Sequence, residues 1–436
     1  MTPRPLPTTK AITGILEALS FFRDPEFARR RFDQHGDVFE TRLVGQRMVF
    51  IRGDQAIQDL LAQSDAVEGW WPDSVRQLLG MRSLANRNGA DHKARRRVVG
   101  QLFSKAALHD YSPSIVALVN DLAESLPGAS KATALAQCMR EFAFSVIATT
   151  VLGVAPENRD ALFKDFEIWT RALFSIPLAI PGTPFSQALS AKQRLLTRLK
   201  HLLNTADDNA GSTTRRCGIS RLTGGLDENG DPLSVDDLAE QLLLLLFAGY
   251  ETTASSLSCL MRALLMNPEV QLWLDEDIQT IPWPPSEQQL KAFDSDSAPR
   301  LNAVINEVMR LTPPVGGFFR RTRRPITLAG VMVPAERVIQ VALAASNRLD
   351  SADDLEHFRP QRHLETTQLP TLRPFGGGER VCLGQALAEL EIRLMVVGLL
   401  RQLTFELVPG QDLTLKMIPS PVPEDGLLVR VGRTTP

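Results

Sequence analysis

The most informative stretch of the 436-residue chain is Phe375-Gly376-Gly377-Gly378-Glu379-Arg380-Val381-Cys382-Leu383-Gly384. It follows the pattern Phe-x-x-Gly-x-Arg-x-Cys-x-Gly, a glycine-rich turn around one cysteine. Glycines without a Cβ let the backbone approach a flat ligand closely and turn its amide hydrogens toward the sulfur, and the helix expected from Leu383 or Ala386 onward points its positive end at Cys382. Both effects stabilise a thiolate on this cysteine. The stretch therefore predicts a ligand-holding thiolate, and a buried structural cysteine is the alternative interpretation.

This pattern resembles the haem-binding signature of the cytochrome P450 superfamily. The resemblance implies haem b as the cofactor, with its iron ligated by the Cys382 thiolate. A thiolate donates electron density to the iron and favours cleavage of the O–O bond more than a neutral His ligand does. The resemblance also implies that Phe375 shields the sulfur and that Arg380 meets a haem propionate. Gly376 and Gly384 are expected to bring the backbone close to the haem.

A long apolar helix is predicted to begin at Ser234, whose side chain caps it while Asp237 completes a capping box, and to end near Asn267-Pro268. About 33 residues at 1.5 Å each would span roughly 50 Å, so this helix must run through the core. Midway along it, the sequence Ala248-Gly249-Tyr250-Glu251-Thr252-Thr253 resembles the oxygen-activation motif of the same superfamily.

The resemblance implies that Ala248 and Gly249 lie beside the haem and that the next polar residues are catalytic. The Thr252 hydroxyl can open the helix locally, because a threonine side chain competes for the carbonyl one turn back. We hypothesise that Thr252 hydrogen-bonds the distal oxygen of bound dioxygen and that Glu251 relays protons from solvent. The alternative interpretation is an apolar helix that holds a glycine and a threonine without a catalytic role.

A third resemblance to the superfamily is the pair Glu307-x-x-Arg310 on a predicted helix, followed by Phe358-x-Pro360-x-Arg362. An i,i+3 Glu/Arg pair alone is common on exposed helix faces. The order of the two segments before the cysteine turn implies a Glu307, Arg310 and Arg362 triad. We interpret this triad as structural support for the haem loop. His363 and Gln361 stand where the family more usually has Phe and Glu.

Basic residues elsewhere match propionate-binding positions of the family. His92 and Arg96 match a His-x-x-x-Arg-Arg helix, and Arg320 matches a third propionate-binding arginine. Their neighbours Lys93, Arg95 and Arg97 form a basic run with two interpretations. The run is either a solvated helix face or a surface that attracts an acidic electron donor.

Three stretches look like the cyanobacterial and retinoic-acid-hydroxylating branch of the superfamily, namely residues 71–80, 181–185 and 313–318. Candidate substrate-binding residues are Trp71, Val75, Phe174, Val315 and Phe318. Phe318 replaces the third glycine of that branch and either narrows the pocket or packs behind it. The apolar loop 173–185 is either a lid over the pocket or packed against helices. The branch implies a retinoid, an apocarotenoid or another terpenoid as substrate.

Composition restricts the class of protein. The 48 Lys+Arg against 50 Asp+Glu give a net charge of −2, which argues against nucleic acid as a partner. Four widely spaced cysteines without a Cys-x-x-Cys pair argue against zinc or iron–sulfur sites and favour a reducing, cytoplasmic compartment. The first residues contain no signal peptide, and the apolar stretch 242–248 is typical of a buried helix. We expect no stable membrane anchor.

The fold class is predicted to be mainly α with minor β, in one domain over residues 1–436. Helical spacing covers residues 26–35, 55–63, 94–103, 114–126, 135–152, 157–173, 185–207 and 386–403. Strands are predicted in a hairpin over 38–51 that turns at Gly45-Gln46, over 326–343 and over 403–431. The resemblance implies the cytochrome P450 fold, a triangular prism of helices with small sheets and a long central helix over the haem.

The activity implied by the resemblance is a haem-thiolate monooxygenase that hydroxylates or epoxidises an apolar small molecule with O2 and two electrons. Cys382 lies close to the carboxyl end, so no fused reductase domain is expected. The electron donor would then be a ferredoxin with its ferredoxin reductase, or a flavodoxin. Two alternatives are a haem-thiolate isomerase or peroxygenase that needs no donor, and a non-enzymatic haem sensor. No feature marks a dimer surface, so a monomer is expected.

Overall fold

The computed structural model describes residues 3–9, 14–24, 27–43, 45–173, 177–208, 217–222, 224–291, 298–349, 355–365, 369 and 371–434. The chain divides into two compact units, Met1–Trp70 with Ala303–Cys382 and Trp71–Asn302 with Leu383–Pro436. Helices predominate over short strands, which confirms the predicted mainly α class with minor β. One domain over residues 1–436 stays a prediction.

Most of the described chain lies in helices. The helices are α1 Ile15–Arg23, α2 Phe27–His35, α3 Asp54–Ala62, α4 Asp73–Leu79, α5 Gly89–Gly100, α6 Lys105–Ser125, α7 Leu135–Val146, α8 Pro156–Arg171, α9 Pro184–Asp208, α10 Val235–Met266, α11 Pro268–Ile278, α12 Glu287–Lys291, α13 Pro299–Leu311, α14 Leu343–Ser346 and α15 Gln385–Gln402. The strands are β1 Val38–Leu43, β2 Gln46–Ile51, β3 Val67–Gly69, β4 Thr133–Ala134, β5 Gly317–Thr322, β6 Ile326–Leu328, β7 Val331–Val333, β8 Val338–Ala342, β9 Leu403–Leu407, β10 Leu415–Lys416, β11 Val422–Pro423 and β12 Leu428–Arg433.

The first unit is built on a five-stranded sheet with the order β1-β2-β8-β5-β3. The predicted hairpin is confirmed, since Leu43 pairs with Gln46 across the turn and Val38 pairs with Ile51 at the open end. Strand β8 runs parallel to β2 and antiparallel to β5. Strand β5 therefore lies inside the sheet, and its side chains are held in a fixed register.

One core cluster of the first unit joins the sheet to α3. Val49 and Ile339 from adjacent strands are fully buried, and Ile57 and Leu60 of α3 belong to the same cluster. The small hairpin of β6 and β7 adds Leu328 to it. Alternating apolar residues on the strands and an i,i+3 pair on the helix account for this packing.

The second unit is organised around α10, whose 32 residues make it about 48 Å long. It packs against α7, α9 and α15 and buries residues around most of its circumference, as the apolar stretch 242–248 predicts. Its bounds confirm the predicted helix, which ends one residue before Asn267. Small sheets of order β4-β12-β9 and β10-β11 complete the unit.

The start of α10 differs from the predicted capping box. Ser234 Oγ accepts a 3.1 Å hydrogen bond from the Asp237 backbone N–H, so the cap forms. The Asp237 carboxylate, however, accepts hydrogen bonds from Gln241 and Arg95 and does not reach back to the cap. A buried cation competes for this carboxylate more strongly than a backbone amide does.

Two other predicted helices have different bounds. Helix α6 begins at Lys105, because Ser104 caps it by accepting from the Ala107 N–H, and Pro113 lies inside the helix. Helix α7 continues beyond Val146 into a π-helical turn, Ile147–Val151. The wider turn places Ile147 against Gly249 of α10.

Among the described residues, α10 is long and apolar enough to cross a membrane, and 72% of its most apolar window is buried inside the structure. The segments Leu135–Val151 and Pro156–Arg171 meet the same criterion only as a pair, and the pair is bent by 119°. Core helices of globular proteins satisfy the criterion equally, so these helices are weak evidence for a membrane span.

Candidate functional site

The cysteine turn is shaped by two glycines in the left-handed region. Gly376 has a φ of 76° and Gly378 a φ of 67°, which other residues rarely adopt. The Cys382 N–H donates a 2.9 Å hydrogen bond to the Phe375 carbonyl, and the Val381 N–H donates to the Gly378 carbonyl. The turn thus closes on itself and presents the exposed Cys382 at its end.

Close packing also explains the central glycine of the turn. A Cβ on Gly377 would lie 2.8 Å from Leu61 Cδ1, so the glycine lets the turn lie against α3 without a shift of the Leu61 side chain. Helix α15 begins at Gln385, three residues after Cys382, as the sequence predicts. The first N–H groups of a helix carry partial positive charge, which favours an anionic sulfur nearby.

Two arginines of the first unit, Arg320 and Arg380, lie near enough for their charges to interact. Burial, and then the neighbouring Arg380 guanidinium, lower the pKa of Arg320 to about 10. Within the described ranges no carboxylate pairs with Arg320, whose Nη1 donates a 2.8 Å hydrogen bond to the Phe319 carbonyl. Half-buried cations side by side are stabilised by an anion, and an arginine fork matches a carboxylate. The donor set therefore fits the propionates of the haem that the cysteine motif implies.

The other two predicted propionate ligands lie on α5 in the second unit. His92 is buried and Arg96 is half-buried. They are four residues apart, so they share one face of the helix. Their role toward a haem stays a prediction.

The interpretation of Arg95 as part of a solvated or donor-attracting face is wrong. Its side chain is 7% exposed and forms ion pairs with Asp237 at 3.0 Å, with Asp91 and with Glu228. Three carboxylates neutralise this guanidinium, so it cannot attract an acidic partner. Lys93 and Arg97 are exposed. For these two residues, a solvated helix face and a surface that attracts an acidic electron donor both stay open.

The helix motif has the local geometry that the sequence predicts. Thr252 Oγ1 donates a 2.7 Å hydrogen bond to the Ala248 carbonyl one turn back. A Cβ on Gly249 would lie 2.9 Å from Ile147 Cδ1, so the glycine lets α10 pack closely against the π-helical turn. Ala248 is exposed in the structure, whereas Tyr250 is buried on the opposite side of the helix.

Glu251 is buried in the second unit with a cationic partner. Arg140 Nη2 of α7 lies 3.2 Å from Glu251 Oε1. Burial raises the pKa of Glu251, and the Arg140 charge opposes that shift without cancelling it. The Arg140 side chain is 28% exposed, so the pair connects a buried acid to solvent.

A carboxylic acid that the sequence did not indicate lies close to the same motif. Glu391 of α15 is 1% exposed and accepts a hydrogen bond from Thr253. Burial raises the pKa of Glu391 well above its usual range. Its second oxygen, Oε2, has no hydrogen-bond partner among the described residues. In the sequence, Glu391 is one of two glutamates on this helix, and nothing distinguishes it from the partly exposed Glu389.

The triad residues lie together in the first unit. Glu307 accepts hydrogen bonds from Arg310 Nε at 2.8 Å and Nη2 at 2.9 Å, and from Arg362 Nε at 2.9 Å. A third side chain beside Glu307 is His363, whose Nε2 lies 2.8 Å from Glu307 Oε2. Burial would raise the pKa of Glu307, but the bonds from Arg310 and His363 outweigh it and hold this pKa at about 2.

The predicted substrate residues are distributed over both units. Trp71 and Val75 are half-buried at the start of α4, and Val315 is 43% exposed before β5. Phe318 lies on β5, where its ring packs under the Arg320 guanidinium. Phe174 lies outside the described residues.

The apolar loop has a described part from residue 177. Leu178 and Ile180 are 51% and 60% exposed. Thr183 Oγ1 donates a 2.8 Å hydrogen bond to the Ile180 carbonyl and shapes the turn before α9. In this described part, the exposed side chains argue against tight packing on neighbouring helices.

Comparison with known sequences identifies relatives over nearly the whole chain. A family model described as cytochrome P450 matches residues 5–430. A putative cytochrome P450 120 of Synechocystis sp. is 33% identical over 422 residues, which cover 95% of this chain and 94% of the relative. Cytochrome P450 26B1 of Mus musculus is 28% identical over 420 residues, which cover 93% of this chain and 82% of the relative.

Solved structures agree with the sequence relatives. The retinoic acid-bound cyanobacterial CYP120A1 superimposes with a TM-score of 0.88 at 31% identity, covering 99% of this chain and 100% of the other. A cytochrome P450, CYP102L1, superimposes with a TM-score of 0.85 at 20% identity over 100% of both chains, and this likeness shows the fold alone. The predicted fold family is confirmed.

Proposed function

The chain belongs to the cytochrome P450 family of haem-thiolate monooxygenases, and on this basis we propose that it oxidises a retinoid with electrons from a separate protein. The family fixes the reaction class, which is insertion of one oxygen atom of O2 into an apolar substrate. The retinoid substrate and the separate electron donor are the two parts of the proposal that go beyond this reaction class. Hydroxylation or epoxidation of an apocarotenoid or another terpenoid is the nearest variant of the proposal.

Haem held by a cysteine thiolate supplies the centre at which O2 is activated. Cys382 is the proposed thiolate, since its turn is exposed at the cysteine and shaped by glycines. Arg320 and Arg380 are proposed to bind one propionate region, because they place two cations together. His92 and Arg96 of α5 are proposed as further propionate ligands.

Thr252 and Glu251 are proposed to manage protons. The Thr252 hydroxyl donates to Ala248 at rest, and rotation about χ1 frees the proton for a partner on the exposed side of α10. Glu251 holds a proton more readily than an exposed glutamate because burial raises its pKa. Its partner Arg140 stays protonated and is part exposed, so the Glu251 carboxyl lies beside a side chain that reaches solvent.

The single observation that carries a donor-dependent monooxygenase is this acid and alcohol pair with its solvent-linked arginine. An isomerase or peroxygenase that needs no electron donor has no use for two external protons. A non-enzymatic haem sensor has no use for these protons either. The pair therefore favours the monooxygenase over both alternatives.

The retinoid proposal rests on likeness. The solved relative with retinoic acid bound shares 31% identity over nearly the whole chain, and residues 71–80, 181–185 and 313–318 resemble that branch. We further propose that the protein is a cytoplasmic monomer supplied by a ferredoxin and its reductase, or by a flavodoxin. Exposed Lys93 and Arg97 are the proposed contacts for this acidic donor.

A titration of the purified ferric protein tests the substrate. Retinoic acid, retinol, an apocarotenoid, a monoterpenoid and a saturated fatty acid are added while the Soret band is followed. Retinoic acid and the fatty acid both carry a carboxylate, but only retinoic acid has a polyene. Comparing the two therefore shows which of these groups causes a response of the Soret band. Additions to buffer alone give the baseline, since retinoids themselves absorb near this band.

A saturable low-spin to high-spin shift with retinoids only would support the proposal. A response to another ligand class without a retinoid response would overturn the retinoid assignment. Absence of a Soret band after reconstitution with haem would overturn Cys382 as the ligand, and Cys382→Ser provides the reference spectrum.

The need for a donor is tested separately. Ligands that shift the band are incubated with a ferredoxin system and NADPH, or with hydrogen peroxide alone. Product only with the ferredoxin system supports the monooxygenase. Equal product with peroxide alone would favour the peroxygenase alternative.

A further inference from the structure

Phe318 and Arg320 lie two residues apart on β5, so their side chains project from the same face of the sheet. The Arg320 guanidinium carbon lies 4.6 Å from the centre of the Phe318 ring. This distance is within the range of a cation–π contact, in which the negative ring face attracts the cation. The ring therefore supports the arginine directly.

The same ring reaches the cysteine turn. A Cβ on Gly376 would lie 4.0 Å from Phe318 Cδ1, which is ordinary van der Waals contact. The ring thus lies close both to Arg320 and to the turn that carries Cys382. The register of β5 between β8 and β3 fixes its position.

Arg320 needs such support because the positive charge of its neighbour Arg380 repels it. Arg380 lowers the pKa of Arg320 in addition to burial, and within the described residues no carboxylate pairs with Arg320. Like charges repel each other, which disfavours an Arg320 orientation close to Arg380. An aromatic face beneath one guanidinium opposes this effect, whereas an aliphatic side chain of similar size does not.

We propose that Phe318 is a positioning residue, whose ring holds Arg320 in the orientation that binds a haem propionate, and that it is not a wall of the substrate pocket. The proposal rests on the proposed haem-binding function of Arg320. It assigns a use to the one residue of the 313–318 stretch that departs from the related branch.

The experiment measures the rate at which the ferric holoprotein loses haem to apomyoglobin. Phe318→Leu keeps an apolar side chain without a π face, and Phe318→Tyr keeps the face. We expect Phe318→Leu to lose haem roughly three- to tenfold faster and Phe318→Tyr to match the wild type. Phe319→Leu is the matched control, because Phe319 contacts Trp70 at 5.7 Å on the opposite face of β5.

A double-mutant cycle separates positioning from general destabilisation. In an Arg320→Met background, Phe318→Leu should cause no further acceleration, since no cation remains to be held. An unchanged rate in the single Phe318→Leu variant would overturn the proposal, as would an acceleration that persists without Arg320. A changed retinoid affinity with an unchanged haem-loss rate would make Phe318 a pocket residue instead.

The same variants distinguish this proposal from the proposed function. If Arg320→Met alone leaves haem loss unchanged, Arg320 does not bind a propionate and the underlying assignment fails. If Arg320→Met accelerates loss and Phe318→Leu does not, the assignment of Arg320 survives and only the positioning role of Phe318 fails. Far-UV circular dichroism verifies that each variant is folded.

Discussion

Arg140 of α7 and Glu251 of α10 form a 3.2 Å ion pair in which one partner is buried and the other reaches solvent. Burial raises the pKa of Glu251, and the arginine lowers it again by a smaller amount. The proton affinity that burial gives the acid is thus reduced by a residue 111 positions away in sequence. Arg140 also approaches the face of Tyr250, which fixes it beside the acid.

Replacement of Arg140 should shift the pH dependence of turnover. In Arg140→Gln the lowering effect of the cation is lost, so the pKa of Glu251 rises further. If ionised Glu251 is the form that relays protons, the acid limb of the pH profile moves to higher pH. Product formed per NADPH is measured over the pH range in which the protein stays folded.

The control for this shift is Glu251→Gln, which has no titrating group at position 251. Adding Arg140→Gln to that variant should leave its pH profile in place. An acid limb that does not move in the single Arg140→Gln variant would contradict the coupling between the two residues.

Removal of the Thr252 hydroxyl should uncouple electron use from product formation. Thr252→Ala loses the donor that bonds the Ala248 carbonyl, and we expect product per electron pair to fall by about tenfold or more. Thr252→Ser keeps a hydroxyl and should retain most of the coupling. Oxygen consumption and product are measured together, and full coupling in Thr252→Ala would refute the role of this residue.

The buried acid Glu391 should make stability depend on pH. Its raised pKa keeps it neutral in the folded protein, whereas it ionises near its usual pKa when unfolded. The group therefore stabilises the fold fully below its unfolded pKa, and this contribution is lost as pH rises toward the folded pKa, by at most about 1.4 kcal/mol per pH unit.

Glu391→Gln removes that titration, so its free energy of unfolding should fall less steeply with rising pH than that of the wild type. Glu389→Gln on the same helix, where residue 389 is partly exposed, controls for the added amide. Parallel denaturation curves for Glu391→Gln and the wild type at every pH would show that Glu391 is ionised in the fold.

His363 should contribute to retention of the thiolate-ligated haem through Glu307. In His363→Phe the buried Glu307 Oε2 loses a 2.8 Å partner, which we expect to cost about 1–3 kcal/mol of stability. His363→Gln can still donate to this oxygen and should restore part of the loss. The midpoint of urea denaturation, followed at the Soret band, gives the measurement. Equal urea midpoints for His363→Phe and the wild type would be evidence against the contact between His363 and Glu307.

The sequence allowed the cysteine turn, the long helix and its acid and alcohol pair to be predicted, because each depends on local spacing. The Ala248 to Thr252 hydrogen bond, for example, joins residues one turn apart. Partners brought together from distant segments could not be predicted in this way. Arg140 beside Glu251 and His363 beside Glu307 both depend on tertiary packing.

Charge alone was a misleading guide in one segment. The basic run of α5 looks uniform in sequence, yet Arg95 is enclosed by carboxylates from three segments while Lys93 and Arg97 are exposed. Helical periodicity separates the faces of a helix but does not reveal which face meets acids from elsewhere. Glu391 was missed for the same reason, since its partner Thr253 lies on another helix.

The close approach of Gly249 to Ile147 makes these two positions epistatic. An added methyl at 249 would lie 2.9 Å from the isoleucine Cδ1, so the Ile147 side chain must shift to accept it, and a smaller residue at 147 removes the clash. Lineages that acquire alanine at 249 should therefore carry a smaller residue at 147. For directed evolution, positions 147 and 249 should be varied in one library, because the effect of a substitution at one position depends on the residue at the other.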